Sequence, residues 1–73
     1  KWIAVFHDST LAINTLPNAK VEIFDLRGNV VFSEQTPNGK VNWCPTYELA
    51  SGVYLVKVSL NQSVTSKRIV MIK

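Results

Sequence analysis

The stretch that decides the fold is Gly52-Val-Tyr-Leu-Val-Lys-Val-Ser-Leu-Asn-Gln-Ser-Val-Thr-Ser-Lys-Arg-Ile-Val-Met-Ile-Lys73. Its first half alternates between core-facing and solvent-facing positions, which is the period of a β-strand. The core-facing set is Tyr54, Val56, Val58 and Leu60. Lys57 and Ser59 point outward, and Asn61-Gln62-Ser63 interrupts the pattern before a second strand-like run begins. The stretch therefore predicts a β-hairpin.

The face that the second hairpin strand turns to the core depends on the loop length. A two-residue loop at Asn61-Gln62 would place beside Tyr54 the residues Thr65, Lys67, Ile69 and Met71. An odd-length loop would place there Val64, Ser66, Arg68 and Val70. The run Ile69-Val70-Met71-Ile72 is apolar on both faces, whereas chain ends are usually polar and poorly ordered. We expect this run to be folded into the domain or recognised by a partner.

The rest of the chain repeats the pattern of short strands and turns. Segments rich in Val, Ile and aromatic residues alternate with turn residues that include Gly, Pro and Asn. The predicted strands are Trp2–Phe6, Thr10–Thr15, Lys20–Leu26, Asn29–Glu34, Lys40–Cys44, Val53–Leu60 and Val64–Ile72. Thr46–Ala50 is predicted to be a loop. About seven strands without a helix predict an all-β fold, a small antiparallel sandwich or barrel.

Composition and charge argue against several classes of function. The 73 residues suffice for one domain, and they include one cysteine, Cys44, and one histidine, His7. An internal disulfide is therefore impossible, and we expect Cys44 to be buried or inert and the chain to hold no metal or cofactor. A chain of this size has little room for a catalytic pocket, so we expect no enzyme activity.

The basic residues are dispersed along the chain. The net charge is +3, and among the basic residues only Lys67 and Arg68 are adjacent, so we expect no nucleic-acid binding. No apolar run approaches the ~18 residues of a membrane span, and no transmembrane segment is expected.

Three groups of residues could suggest a site. Asp25 and Gly28 are interpreted as turn residues, the carboxylate accepting backbone N–H groups and the glycine taking a positive φ, rather than as metal ligands. His7-Asp8-Ser9 is interpreted as a polar turn, because consecutive residues cannot form a catalytic triad. The large aromatic residues Trp2, Trp43 and Tyr47 could stack on sugars if they were exposed together, but we favour Trp43 in the core.

Three elements resemble the C-terminal sorting domain of cargo proteins of the type IX secretion system. Val21-Glu-Ile-Phe-Asp-Leu-Arg-Gly-Asn-Val-Val31 resembles the family pattern apolar-x-Ile-Tyr/Phe-Asp-x-x-Gly-x-x-Val. Leu49-Ala-Ser-Gly-Val-Tyr-Leu-Val-Lys-Val58 resembles Leu-x-x-Gly-x-Tyr-x-Val-x-Val, and Lys67-Arg-Ile-Val70 resembles the closing Lys-Lys-Ile-Val. Phe6-His7-Asp8-Ser9 departs from the Tyr-Pro-Asn-Pro with which the family usually opens.

The resemblance implies an Ig-like β-sandwich of seven strands that acts as a secretion and sorting signal. Residues 1–73 would then be a single domain cut from a larger secreted protein, which fits a sequence that begins in a strand-like run without Met. The implied partners are the outer-membrane secretion machinery and a sortase-like cysteine peptidase. The protein would cross the periplasm and end at the cell surface or outside the cell. Recognition would involve Gly52, Tyr54, Lys67, Arg68, Ile69, Val70, Met71, Ile72 and Lys73.

Two other functions compete with a sorting signal. A carbohydrate-binding module of a secreted glycosidase would bind polysaccharide and would need Trp2, Trp43 and Tyr47 exposed on one face. A structural Ig-like spacer would tolerate scrambled terminal residues without any effect on export.

Overall fold

The computed structural model describes residues 2–45 and 49–72 of the chain. These residues contain no helix, and so none that could span a membrane. The strands are β1 Ile3–His7, β2 Thr10–Asn14, β3 Ala19–Phe24, β4 Val30–Thr36, β5 Lys40–Trp43, β6 Gly52–Leu60 and β7 Ser63–Met71. The predicted all-β class is confirmed, with strand ends shifted by one or two residues from those predicted. Most of the Thr46–Ala50 loop lies outside the described residues.

The strands form two antiparallel sheets that pack face to face. One sheet has the order β1-β2-β5 and the other the order β4-β3-β6-β7, so the fold is a sandwich and not a closed barrel. Alternate residues of each strand point between the sheets. The buried hydrophobic set is Trp2, Leu11, Ile13, Ala19, Val21, Ile23, Val41, Tyr54, Val56, Val58 and Met71. The predicted inward face of β6 is confirmed, with Leu60 packed against this core.

Aromatic residues close both open sides of the sandwich. On one side the rings of Phe32 in β4 and Trp43 in β5 lie 5.3 Å apart at an angle of 33°. On the other side Trp2 is 7% exposed, and its indole N–H donates a hydrogen bond to Oγ1 of Thr65 in β7. We call this second closure the Trp2 seam. It joins the start of the three-stranded sheet to the edge of the four-stranded one.

The tight turns use residues that tolerate positive φ. Asp8 and Ser9 connect β1 to β2 with φ values of 53° and 61°, so the polar turn predicted at His7-Asp8-Ser9 is confined to Asp8 and Ser9, and His7 is the last residue of β1. Gly39 has a φ of 78°, and a Cβ atom there would collide with the carbonyl oxygen of Thr15. The Thr15 N–H donates to the Gly39 carbonyl at 2.8 Å, which explains the close approach of these two backbones. Gly39 therefore fixes the packing of two loops.

Candidate functional site: the C-terminal hairpin

The C-terminal hairpin, β6 with β7, is the longest pair of strands in the described residues. Its register runs from Gly52 opposite Met71 to Leu60 opposite Ser63, so the loop is Asn61-Gln62. Asn61 supplies the positive φ that such a short hairpin turn needs, at 57°. The two-residue alternative is confirmed, and the odd-length alternative is wrong. The residues of β7 that share the inner face with Tyr54 are Thr65, Lys67, Ile69 and Met71.

Strand β7 lies at the edge of its sheet, with β6 on one side and no strand on the other among the described residues. An edge strand presents backbone N–H and C=O groups that another strand could pair with. A two-residue turn is closed by a hydrogen bond between its first and fourth residues, here Leu60 and Ser63. Hydrogen-bonded pairs then alternate along the hairpin. We infer that the backbone groups of Val64, Ser66, Arg68 and Val70 point to the free edge.

The predicted recognition residues of β6 have different positions. Gly52 begins the strand and is partly exposed, whereas Tyr54 is 6% exposed and belongs to the core. The Tyr54 hydroxyl donates to the carbonyl oxygen of Ala50 at 2.7 Å, so the ring is fixed at both ends. A partner could not contact the Tyr54 ring directly. Tyr54 could influence recognition only by holding the hairpin in place.

The predicted recognition residues of β7 divide between the two faces of the sheet. Met71 is fully buried and Ile69 packs against the core. Lys67 is also on the inner face, where its ammonium group donates to the Trp2 carbonyl at 3.1 Å and lies 4.9 Å from the centre of the Trp2 ring. On the opposite side three side chains are exposed to solvent: Arg68, Val70 and Ile72. Lys73 lies outside the described residues.

The turn between β3 and β4 is built around Asp25. Oδ1 of its carboxylate accepts the backbone N–H groups of Arg27 and Asn29, each at 2.9 Å, and Gly28 takes a φ of 91°. The hydrogen bonds from Asn29, followed by those from Arg27, hold the pKa of Asp25 below its ordinary value of 3.8. Strand β3 ends at Phe24, so Asp25 lies in the turn.

Trp2 and Trp43, the two of these aromatics that the structure describes, do not form a common exposed surface. Trp2 is buried in its seam, and Trp43 is half-buried against Phe32. Tyr47 lies outside the described residues. Two of the three aromatics that a carbohydrate-binding surface would require are therefore engaged in closing the sandwich, on opposite sides of it.

The described residues do not assemble a metal-binding group. No three of their His, Cys, Asp or Glu side chains are placed to hold a metal ion. His7 contacts Asp8 at 3.2 Å on the open surface. Of the expectation that Cys44 is buried or inert, the first alternative is wrong, since Cys44 is exposed where the chain leaves β5. Fold and hairpin together define a class of small antiparallel β-sandwich whose last described strand lies at a sheet edge.

The comparison with protein families identifies this class further. Residues 7–73 match the family described as the secretion system C-terminal sorting domain, which is almost the whole chain. The chain belongs to this family and is a C-terminal sorting signal for type IX secretion. Members of the family are signals and not enzymes, and they interact with the secretion machinery and direct export toward the cell surface or the extracellular space. The comparison with curated proteins finds no match.

Sequence patterns did not reveal the Trp2 seam or the role of Gly39. Both depend on contacts between residues far apart in the chain, Trp2 with Thr65 and Gly39 with Thr15. The sequence did contain one indication of the seam. If the loop has two residues, the polar residues Thr65 and Lys67 fall on the inner face of β7. Polar residues at inward positions require a partner, and Trp2 supplies one to each.

Proposed function

We propose that the secretion machinery reads this signal by pairing a strand with the free edge of β7. The observation that carries the proposal is the position of β7, a nine-residue strand with an unpaired edge among the described residues. Addition of a strand to an exposed sheet edge is a common mode of recognition, in which backbone hydrogen bonds give affinity and side chains give specificity. Gly52 and Tyr54 take part by fixing the neighbouring strand, and Lys67 to Lys73 provide the edge.

This role also implies the steps that the domain would pass through during export. The domain would be the C-terminal part of a larger secreted protein, fold in the periplasm, and then be recognised at the outer membrane. A sortase-like cysteine peptidase would remove the domain and link the cargo to the cell surface. The domain is then the substrate of that reaction, and its own residues supply no catalytic group.

An export assay in a bacterium with type IX secretion tests the proposal. The chain is fused behind a fluorescent reporter directed to the periplasm, with and without Lys67 to Lys73. We expect the reporter outside the cell with the full chain and in the periplasm without these residues. A reporter that stays in the periplasm in both cases would falsify the proposal. The next experiment would then test the carbohydrate-binding alternative, by comparing polysaccharide binding of the Trp43→Ala variant with that of the unchanged chain.

A single substitution separates edge pairing from simple loss of the strand. Ser66→Pro removes an N–H that points to the free edge, so β7 keeps its hydrogen bonds to β6 while an incoming strand is blocked. Ser66→Ala is the matched control, because it keeps the N–H. We expect export to fall with proline and not with alanine, at similar melting temperatures. Equal export of the two variants would contradict edge pairing.

A further inference from the structure

The solvent-facing side of the four-stranded sheet is divided into a polar half and an apolar half. Directly paired residues of antiparallel strands share a face, so the registers assign each side chain to a half. The polar half includes Lys20, Glu22, Ser33, Lys57, Ser59 and Ser66. The other half, which we call the apolar patch, consists of Phe24, Val30, Val53, Leu55, Arg68 and Val70. Such a division is unexpected for a sheet face that only contacts water.

The apolar patch extends to the end of the sheet at which β7 finishes with Met71. Leu26 and Ile72 border it and are 73% and 75% exposed. Phe24 and Leu55 line a shallow cavity of about 480 Å³ next to Arg68. Contiguous exposed apolar surface on a small soluble domain marks a site of interaction. The concave shape and the run of apolar side chains indicate a partner that inserts apolar groups.

Arg68 gives the patch a positive charge that the described residues do not balance. Arg68 lies opposite Leu55 in the hairpin. The ion pairs among the described residues do not include Arg68. The nearby carboxylates have other partners: that of Asp25 accepts hydrogen bonds in its own turn. Glu22 lies 3.9 Å from the ammonium groups of both Lys20 and Lys57. A guanidinium group surrounded by apolar surface is suited to bind a carboxylate, often through two parallel hydrogen bonds.

We propose that the apolar patch docks a protein surface of the secretion machinery in which apolar side chains surround a carboxylate that pairs with Arg68. The inference rests on the proposed function, and it adds a second contact to the edge of β7. A second copy of the chain fits poorly, because the carboxylates that it would bring to Arg68 from this surface, those of Asp25 and Glu22, already have partners. An anionic lipid surface also fits poorly, because lipid binding relies on clusters of about four or more basic residues, whereas Arg68 and Lys57 are the two that line this cavity and Lys57 is already 3.9 Å from Glu22.

Two pairs of matched substitutions test the docking surface in the export assay. Val70 and Val64 are the same residue on the same strand and face, 58% and 56% exposed, but only Val70 lies in the apolar patch. Arg68 and Lys20 are both outward cations, and only Arg68 lies in the patch. We expect Val70→Ser and Arg68→Glu to lower export at least about tenfold, a loss of ~1.4 kcal/mol in binding. Val64→Ser and Lys20→Glu should export like the unchanged chain.

A photo-reactive phenylalanine analogue placed at position 70 or 64 identifies the occupant in the exporting cell. We expect a cross-link from position 70 to a protein of the secretion machinery, at a peptide with apolar residues beside Asp or Glu. The same analogue at position 64 should give little of this product. A cross-link from position 70 mainly to lipid, or to a second copy of the chain, overturns the proposal.

The assay separates failure of this inference from failure of the proposed function. If Ser66→Pro and loss of residues 67–73 both stop export while Val70→Ser and Arg68→Glu match their controls, edge pairing stands and docking on the apolar patch is refuted. If export survives the loss of residues 67–73, both proposals fail, because Arg68 and Val70 are then dispensable. Melting temperatures of all variants, measured on the purified chain, ensure that the comparison is made between folded proteins.

Discussion

Asp25 illustrates how much one side chain can fix in this protein. Its carboxylate accepts backbone N–H groups from Arg27 and Asn29, and a further hydrogen bond at 3.1 Å from the side-chain amide of Asn29. These bonds form only when the carboxylate is placed across the turn by the folded strands. The charged form is therefore favoured in the folded state more than in the unfolded one.

The lowered pKa of Asp25 predicts a dependence of stability on pH. A group with a lowered pKa in the folded state stabilises above its unfolded pKa, about 3.9, and this contribution is lost as the pH falls through the folded pKa. We expect the unchanged chain to melt above Asp25→Asn at pH 7, and the difference to shrink as the pH falls below about 4. Melting curves of both chains from neutral to acid pH provide the measurement. A difference that is constant with pH would contradict the assignment.

At the scale of elements, the Trp2 seam decides how the two sheets are held together at the side of β7. The indole N–H pairs with Thr65, and the Lys67 ammonium group covers the ring and donates to the Trp2 backbone. The three residues are partners of one another: Trp2 gives both Thr65 and Lys67 a hydrogen-bond partner, and Trp2 can be buried because its N–H has an acceptor.

A double-mutant cycle measures the central contact of the seam. Trp2→Phe keeps an aromatic ring without the donor, and Thr65→Val keeps the shape without the acceptor. We expect a coupling energy of about 0.5–1.5 kcal/mol from urea unfolding of the two single variants and the double variant, the usual net value of one hydrogen bond. Strictly additive effects would show that the indole and the hydroxyl do not interact in solution.

The hairpin could be predicted from its sequence more fully than any other element. The alternation of Tyr54, Val56 and Val58 predicts both the strand and its buried face, because Lys57 and Ser59 make the opposite face polar over the second half of the strand. The orientation of β7 could not be predicted, since Val64 to Val70 offers apolar residues on both faces and only the loop length decides between them. The family motifs in turn indicated the hairpin as the signal, but not the apolar patch, which requires the registers of four strands.

At the scale of the whole molecule, stability depends on a small core without a disulfide among the described residues. A domain of this size has a few kcal/mol of stability to lose. The core is formed by inward residues of both sheets, so a change in one strand affects the packing of the other sheet. The C-terminal hairpin, where we propose that the secretion machinery binds, also supplies Tyr54, Val56, Val58 and Met71 to this core.

Truncation of a core residue should therefore unfold much of the population. We expect Tyr54→Ala and Val56→Ala each to cost about 2–5 kcal/mol in the free energy of unfolding, as large-to-small changes at buried positions do. Val64→Ala, on the exposed face of β7, should change it by less than about 0.5 kcal/mol. Urea unfolding followed by tryptophan fluorescence compares the three variants. If either core variant unfolds like the unchanged chain, the assignment of the inward face is wrong.

The Trp2 seam also has a consequence for the order of events during synthesis. Its contacts join residues that are 63 and 65 positions apart, Trp2 with Thr65 and with Lys67. A ribosome makes Trp2 first, so the sandwich cannot close until translation has passed Lys67. A chain that stops early keeps an uncovered indole and an unsealed core, and such chains are prone to aggregation and proteolysis. The seam can therefore close only in polypeptides that carry β7 as far as Lys67.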